Sequence, residues 1–185
     1  NRNIKVTGSG YQVEGEFQEN GEKIDPKEDD HLELLLRTGV LCNDSSLIKE
    51  SGRVNVVGDP TEAALLVAGE KIGYPKDKLE AEYELLDEFP FDSERKMMSS
   101  IRKGDKEGPI VYVKGAPEVI LQKSDHILSA EGKREITEED FEDQKEKVDN
   151  MAERALRVLA LAYKETERKE EYEQEQVESG FTYIG

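Results

Sequence analysis

The apolar residues of this chain come in short runs, parted by charged or glycine-bearing turns. Ala63-Ala64-Leu65-Leu66-Val67-Ala68 is among the longest, far below the roughly 20 consecutive apolar residues that cross a bilayer. Runs this short are buried only by packing many small elements on one another. A length of 185 residues fits one domain with a real core. Charged residues are 37% and hydrophobic residues 35% of the chain, a balance that clustering, rather than spreading, of the apolar residues makes compatible with folding.

The local patterns assign most of the chain. Residues 4–17 read as short extended pieces with turns, and 21–26 as a loop. A helix is predicted over about 27–42, with Leu32, Leu35, Leu36 and Val40 as its apolar stripe. Residues 47–48 and 54–57 read as short strands around a turn at Glu50-Ser51-Gly52. Asp59 suits an N-cap, Pro60 the first helical position and Glu62 the place of a capping-box acid, with Gly73 ending that helix. Pro75 opens a shorter charged helix. Residues 83–91 and 97–102 are predicted as neighbouring strands, with 103–108 a hairpin turn into a strand at 110–113. Pro117 starts a helix through Leu121. Ile136 and Thr137 introduce a long one carrying Phe141, Val148, Met151, Ala152, Ala155 and Leu156. Residues 158–163, apolar on both faces, are predicted as an interior strand; 165–178 as a charged, largely solvated segment; 181–184 as a last strand. Hairpin-linked strands without a regular βαβ rhythm predict an α+β fold, a mostly antiparallel sheet flanked by helices.

A net charge of −17 argues against nucleic acid or an anionic membrane surface as partner. Cys42 is the single cysteine, so no internal disulfide and no multi-cysteine metal site is expected, and a reducing, cytosolic setting follows. No basic segment leading into an apolar stretch opens the chain, so no signal peptide is expected.

Familiar phosphate-binding loops are missing: there is no Walker A pattern and no G-x-G-x-x-G. His31 and His126 have no ligand partners at useful spacing. Three segments stand out instead. They are Gly58-Asp59-Pro60-Thr61-Glu62, then Phe91-Asp92-Ser93-Glu94-Arg95-Lys96-Met97-Met98, then Lys114-Gly115-Ala116-Pro117-Glu118. Each has a plain explanation: a capped helix start, a core aromatic on a strand, lysines that snorkel to water at the edge of apolar runs. Lys114 is the more unusual lysine, because Gly115 permits close approach to the backbone and the helix start after it favours an anion. Arg157, between a helix and an interior strand, calls for a partner, either an acidic side chain or a ligand phosphate.

Taken in order, with Arg157-Val158-Leu159-Ala160-Leu161-Ala162 after them and Leu41-Cys42-Asn43-Asp44 before, these segments resemble the nucleotide-binding domain of type II P-type cation-transporting ATPases, calcium-pump-like in the second segment. The resemblance covers essentially the whole chain. It implies that residues 1–185 are a single nucleotide-binding domain, an excised piece of a membrane pump without its phosphorylation, actuator and transmembrane domains. It implies that Glu62 accepts from the adenine amino group and that Phe91 stacks on the ring. Lys96 and Lys114 would line the pocket; Met98, Gly115, Ala116 and Leu159 would form its apolar wall; Arg157 would reach the phosphates. ATP is the implied ligand, with Mg²⁺ entering as Mg-ATP and held mainly by the phosphorylation domain. The implied partners are the other domains of the same parent chain, on the cytoplasmic side, with no direct membrane contact and a monomeric fragment. Ser93 departs from the pattern: some calcium pumps carry arginine there, and Arg95 could supply the contact instead. The family's phosphorylated aspartate lies in an Asp-Lys-Thr-Gly sequence that this chain lacks; Asp105-Lys106-Glu107-Gly108 only mimics it. The isolated domain is therefore expected to bind ATP without hydrolysing it.

ATP is a polyanion, and so acidic a chain must invert its charge locally to hold it. Lys96, Lys114 and Arg157 are the candidates, since screening limits distant charge to a reach of roughly 10 Å. A second reading is a non-catalytic acidic interaction domain that binds no nucleotide, with 165–178 as its partner surface. A free-standing phosphotransferase is a third, and it lacks an acceptor and a metal-carboxylate cluster.

Overall fold

The computed structural model describes residues 2–50, 53–104 and 108–185. Its contacts divide the chain into two compact units, Asn1–Glu82 and Tyr83–Gly185.

The first unit opens with a small antiparallel sheet, β1 (Ile4–Val6), β2 (Phe17–Glu19) and β3 (Glu22–Ile24). A 3₁₀ turn at Pro26–Glu28 leads into α1 (Asp30–Leu41), whose N-cap Asp29 accepts from the amides of His31 and Leu32. The helix predicted over 27–42 is thus split at Asp29, because that side chain caps a new start instead of continuing the turn before it. β4 (Ser46–Glu50) and β5 (Arg53–Val57) form a hairpin whose predicted turn includes Ser51 and Gly52, outside the described residues. Then come α2 (Pro60–Lys71) and α3 (Lys76–Glu82). Phe17, Leu32, Leu36 and Ile72 form the core that joins the small sheet to the helices.

The second unit is a seven-stranded sheet. Its elements are β6 (Leu85–Asp92), β7 (Met97–Arg102), β8 (Ile110–Gly115), α4 (Pro117–Gln122), β9 (Ser124–Ser129), β10 (Gly132–Glu135), α5 (Glu138–Glu153), β11 (Ala160–Glu165), α6 (Gln174–Val177) and β12 (Phe181–Tyr183). The strand order is β10-β9-β12-β11-β8-β7-β6, and every pair is antiparallel except β12 with β9. One face buries Met97, Ile101, Val111, Val113, Ala160, Ala162 and Phe181 under Ile120 and Leu121 of α4, with Phe141 of α5 against them. This is the α+β, mostly antiparallel architecture that the strand pattern predicts.

Three details differ from the sequence reading. The β9–β10 hairpin has no predicted counterpart: its strands are short, and Gly132–Glu135 is charged and exposed. α5 stops at Glu153; Ala155 turns left-handed (φ 55°) and Leu156 is exposed, so neither belongs to the helix stripe. The acidic segment 165–178 is not simply solvated, because Tyr172, Val177 and Glu178 are buried. The predicted turn over 103–108, including the Asp105-Lys106-Glu107 mimic, lies partly outside the described residues.

Candidate functional site

Strand register gathers most of the predicted residues at one end of the large sheet. Met97 pairs with Gly115, and Gly115 with Ala160. The residues just outside these pairs therefore sit together: Lys96 before β7, Ala116 after β8 and Leu159 before β11. β6 ends there too, since Asp92 pairs with Met97. One step further into the sheet, Met98 pairs with Lys114 and Lys114 with Leu161. All three are buried, with Lys114 only 3% exposed. Burying an ammonium is costly unless it is paired, so this row is not one that a generic sheet would carry.

Phe91 is the opposite case. It is 58% exposed, so the core reading of this aromatic does not hold. The β6–β7 register shifts between Phe89 and Asp92, one extra residue on β6. Pro90 lies in this bulge, where a missing N–H does not cost a ladder bond. Bulges re-aim side chains, and here the result is a large aromatic ring presented to solvent.

The turn that follows is tightly bonded. The Asp92 carboxylate accepts from the amides of Glu94 and Arg95, both at 2.9 Å, and Lys96 N–H donates to the Asp92 carbonyl at 2.7 Å. The Arg95 amide, more than any other influence, holds the Asp92 carboxyl below its ordinary range. Lys96 closes the turn in the left-handed region (φ 54°), costly for a lysine. Its ammonium reaches Glu118 at 3.3 Å with both side chains more than half exposed, a pairing worth little and easily exchanged.

Four expectations for these residues change. A Cβ on Gly115 would lie 2.7 Å from the Lys96 carbonyl oxygen, so the space that this glycine opens is occupied by the neighbouring strand, not left for a ligand. Nor does the helix start offer a set of free amides: Ala116 N–H donates to Lys96 O at 2.9 Å, and Pro117 has no N–H to give. Arg157 is exposed and makes no ion pair among the described residues, so the internal salt bridge weighed for it is not formed. Arg95 is committed elsewhere. Its guanidinium bonds to the Glu178 carboxylate and to the Pro90 carbonyl, so it is not a spare phosphate contact in place of arginine at Ser93.

Glu62 lies in the first unit, in the opening turn of α2. Asp59 caps that helix by accepting from Thr61 N–H at 2.7 Å. Glu62 Oε2 accepts from Ser45 Oγ at 2.9 Å and Asp44 N–H at 3.2 Å. Asn43 Nδ2 donates to the Glu62 carbonyl at 3.0 Å. Gly58 (φ 115°) completes the motif, since a Cβ there would fall 2.3 Å from Ser45 Oγ. The helix start and the Asn43–Ser45 segment are thus one hydrogen-bonded unit with a fixed carboxylate.

Two cavities, of about 500 and 580 Å³, lie in the first unit, and none of the predicted residues lines them. Among the described residues there is no group of three or more His, Cys, Asp or Glu placed to hold a metal ion. No helix of the described residues is long and apolar enough to cross a membrane.

Residues 31–185 match the family described as P-type ATPase, cytoplasmic domain N. The chain is 36% identical over 181 residues to a calcium-transporting ATPase of Bacillus subtilis, covering 98% of the chain and 20% of that protein. It is 37% identical over 190 residues to a cation-transporting ATPase of Synechocystis, covering 100% of the chain and 21% of the relative. It is 44% identical over 132 residues to a calcium-transporting ATPase of Lactococcus lactis, covering 71% of the chain and 14% of the relative. The chain spans about a fifth, or less, of the length of these relatives.

Proposed function

This chain belongs to the family of P-type ATPase cytoplasmic N domains, and on that premise we propose that it binds ATP by the adenine ring and presents the γ-phosphate to the phosphorylation domain of a cation-transporting parent. The observation that carries this reading is the sheet end itself. An aromatic ring 58% exposed is carried by the β6 bulge at the end of the sheet where strand register also places Lys96, Met98 and the buried Lys114. A purine needs a flat apolar partner, and a phosphate chain needs cations within a few ångströms; this corner offers both in an otherwise acidic protein.

In this reading Phe91 stacks on adenine, Lys114 and Met98 line the base, and Gly115, Ala116 and Leu159 form the apolar wall. Lys96 lines the pocket with them, and Arg157 reaches the phosphates. Glu62, fixed through Asp44 and Ser45, accepts from the exocyclic amine. Mg²⁺ arrives with the nucleotide and is held by the parent's phosphorylation domain, so this chain alone binds without turnover. The relatives named for calcium transport support a calcium-pump parent. All of residues 1–185 act as one nucleotide-binding domain.

Calorimetric titration of the 185-residue chain with ATP tests this. Binding near 1 mM, about 4 kcal/mol, is expected. Phe91→Ala should cost about 1–3 kcal/mol through lost stacking. Unchanged affinity in that variant would count against the stacking role and the reading built on it.

A further inference from the structure

Arg95 and Glu178 are separated by 83 positions in sequence and joined in the structure. Glu178 is 2% exposed, which is rare for a carboxylate. Its Oε1 accepts from the Arg95 guanidinium and from Ser99 Oγ at 3.0 Å, and its Oε2 from Gln174 Nε2 at 3.2 Å. Its carbonyl takes a bond from Lys123 Nζ at 2.9 Å. One residue is therefore held from β7, from α6, from the end of α4 and from the β6–β7 turn.

Arg95 carries that anchorage to the bulge. One arm of its guanidinium goes to Glu178 and the other to the Pro90 carbonyl, while its own N–H bonds to Asp92. Pro90 and Asp92 flank Phe91. The ring is more than half exposed, so its pose depends on a backbone fixed from either side, and Arg95 touches both sides. Left-handed Lys96 closes the same turn.

We propose that Arg95 and Glu178 are positioning residues for nucleotide binding: a buried clasp that ties the segment before β12 to the β6–β7 bulge and thereby sets the pose of Phe91 and Lys96. The clasp rests on the nucleotide-binding reading above. Neither side chain touches the ligand. The acidic segment that looked like a solvated surface becomes, through Glu178, part of the support for the site.

The test compares ATP affinity across Arg95→Met, Glu178→Gln, the double variant, Ile127→Val and Phe91→Ala. Arg95→Met keeps the aliphatic stem, and Glu178→Gln keeps an oxygen acceptor, so both retain most of the packing. Ile127→Val loosens the same core at β9, away from the turn, and shows what a modest loss of stability alone does to affinity. Each clasp variant should weaken ATP binding about fivefold or more, and the double variant no more than the worse single one, since a broken clasp cannot be broken again. Ile127→Val should stay within about twofold, and Arg95→Lys, able to restore the ion pair, should recover part of the loss. A spectroscopic arm uses the absence of tryptophan from the chain: Phe91→Trp gives a single tryptophan, excited selectively over the tyrosines, whose anisotropy should fall when Arg95→Met is added. Clasp variants that bind ATP like the parent, while Phe91→Ala does not, would overturn the clasp and leave the nucleotide reading standing. ATP binding unchanged in Phe91→Ala would remove both.

Discussion

Two of the segments that carry candidate residues are built by opposite means. The start of α2, with Glu62, is held by bonds to the nearby Asn43–Ser45 segment and by its own cap. The Phe91–Lys96 turn is held by Asp92 locally and by Glu178 from the far end of the chain. The first needs little beyond its motif. The second is assembled only once the large sheet has formed, so its shape is tied to the stability of the whole second unit. A rigid carboxylate and an exposed ring place different demands on a fold: the first is fixed by hydrogen bonds to its own oxygen, the second has no polar atom and must be fixed through its backbone.

The sharpest way to break this contrast is Arg95→Met. It leaves Glu178 buried without its cation, and we expect a loss of about 3 kcal/mol in the stability of the second unit, at the lower end for a broken buried pair because Ser99 and Gln174 still bond the carboxylate. Urea unfolding followed by circular dichroism measures it. A loss under about 0.5 kcal/mol, the level of an ordinary surface change, would mean that the pair is incidental.

A smaller effect separates the regions by pH. Burial pushes the Tyr183 phenol in the large sheet up to about 12 from its ordinary 10.0. The unfolded chain thus releases this proton first. The stability tied to it is full below about pH 10 and is lost as pH rises towards about 12, roughly 2 kcal/mol over that window. Tyr183→Phe should flatten this alkaline limb in thermal melts. An identical limb in that variant would assign the loss to other groups.

In the first unit, Gly58→Ala should cost about 1–2 kcal/mol, through a methyl group pressed on Ser45 and a left-handed backbone. The smallest effect runs the other way. α2 and α5 end in the same bonding pattern, with Gly73 (φ 75°) in the left-handed place after one helix and Ala155 (φ 55°) after the other. Ala155→Gly should therefore stabilise by about 0.5–1 kcal/mol, read as a rise in melting temperature.

The same contrast explains what the sequence discloses. Asp59, Pro60 and Thr137 announce their helices because capping is written within three or four residues. The runs around Ile101, Val111 and Ala160 announce interior strands by their apolar character. The register that brings Met98, Lys114 and Leu161 into one row is not local, and no spacing rule gives it. Glu178 was hidden by its company: it closes an acidic run whose other members are mostly solvated, and only its place just before the apolar Phe181–Tyr183 strand hints at burial. The bulge at Pro90 could be suspected from proline within a strand pattern, and the exposure of Phe91 follows from it.

The central claim is that the sheet end is an adenine shelf. Titrating the chain with ATP, and separately with GTP, while following backbone amide resonances tests it most directly. The account predicts saturable shifts at Phe91, Lys96, Lys114 and Ala116 with ATP, reaching half-saturation around 1 mM, and weaker ones with GTP, whose base presents a carbonyl where adenine has its amine. No shifts at these residues at several millimolar ATP, or the same shifts in Phe91→Ala, would contradict it.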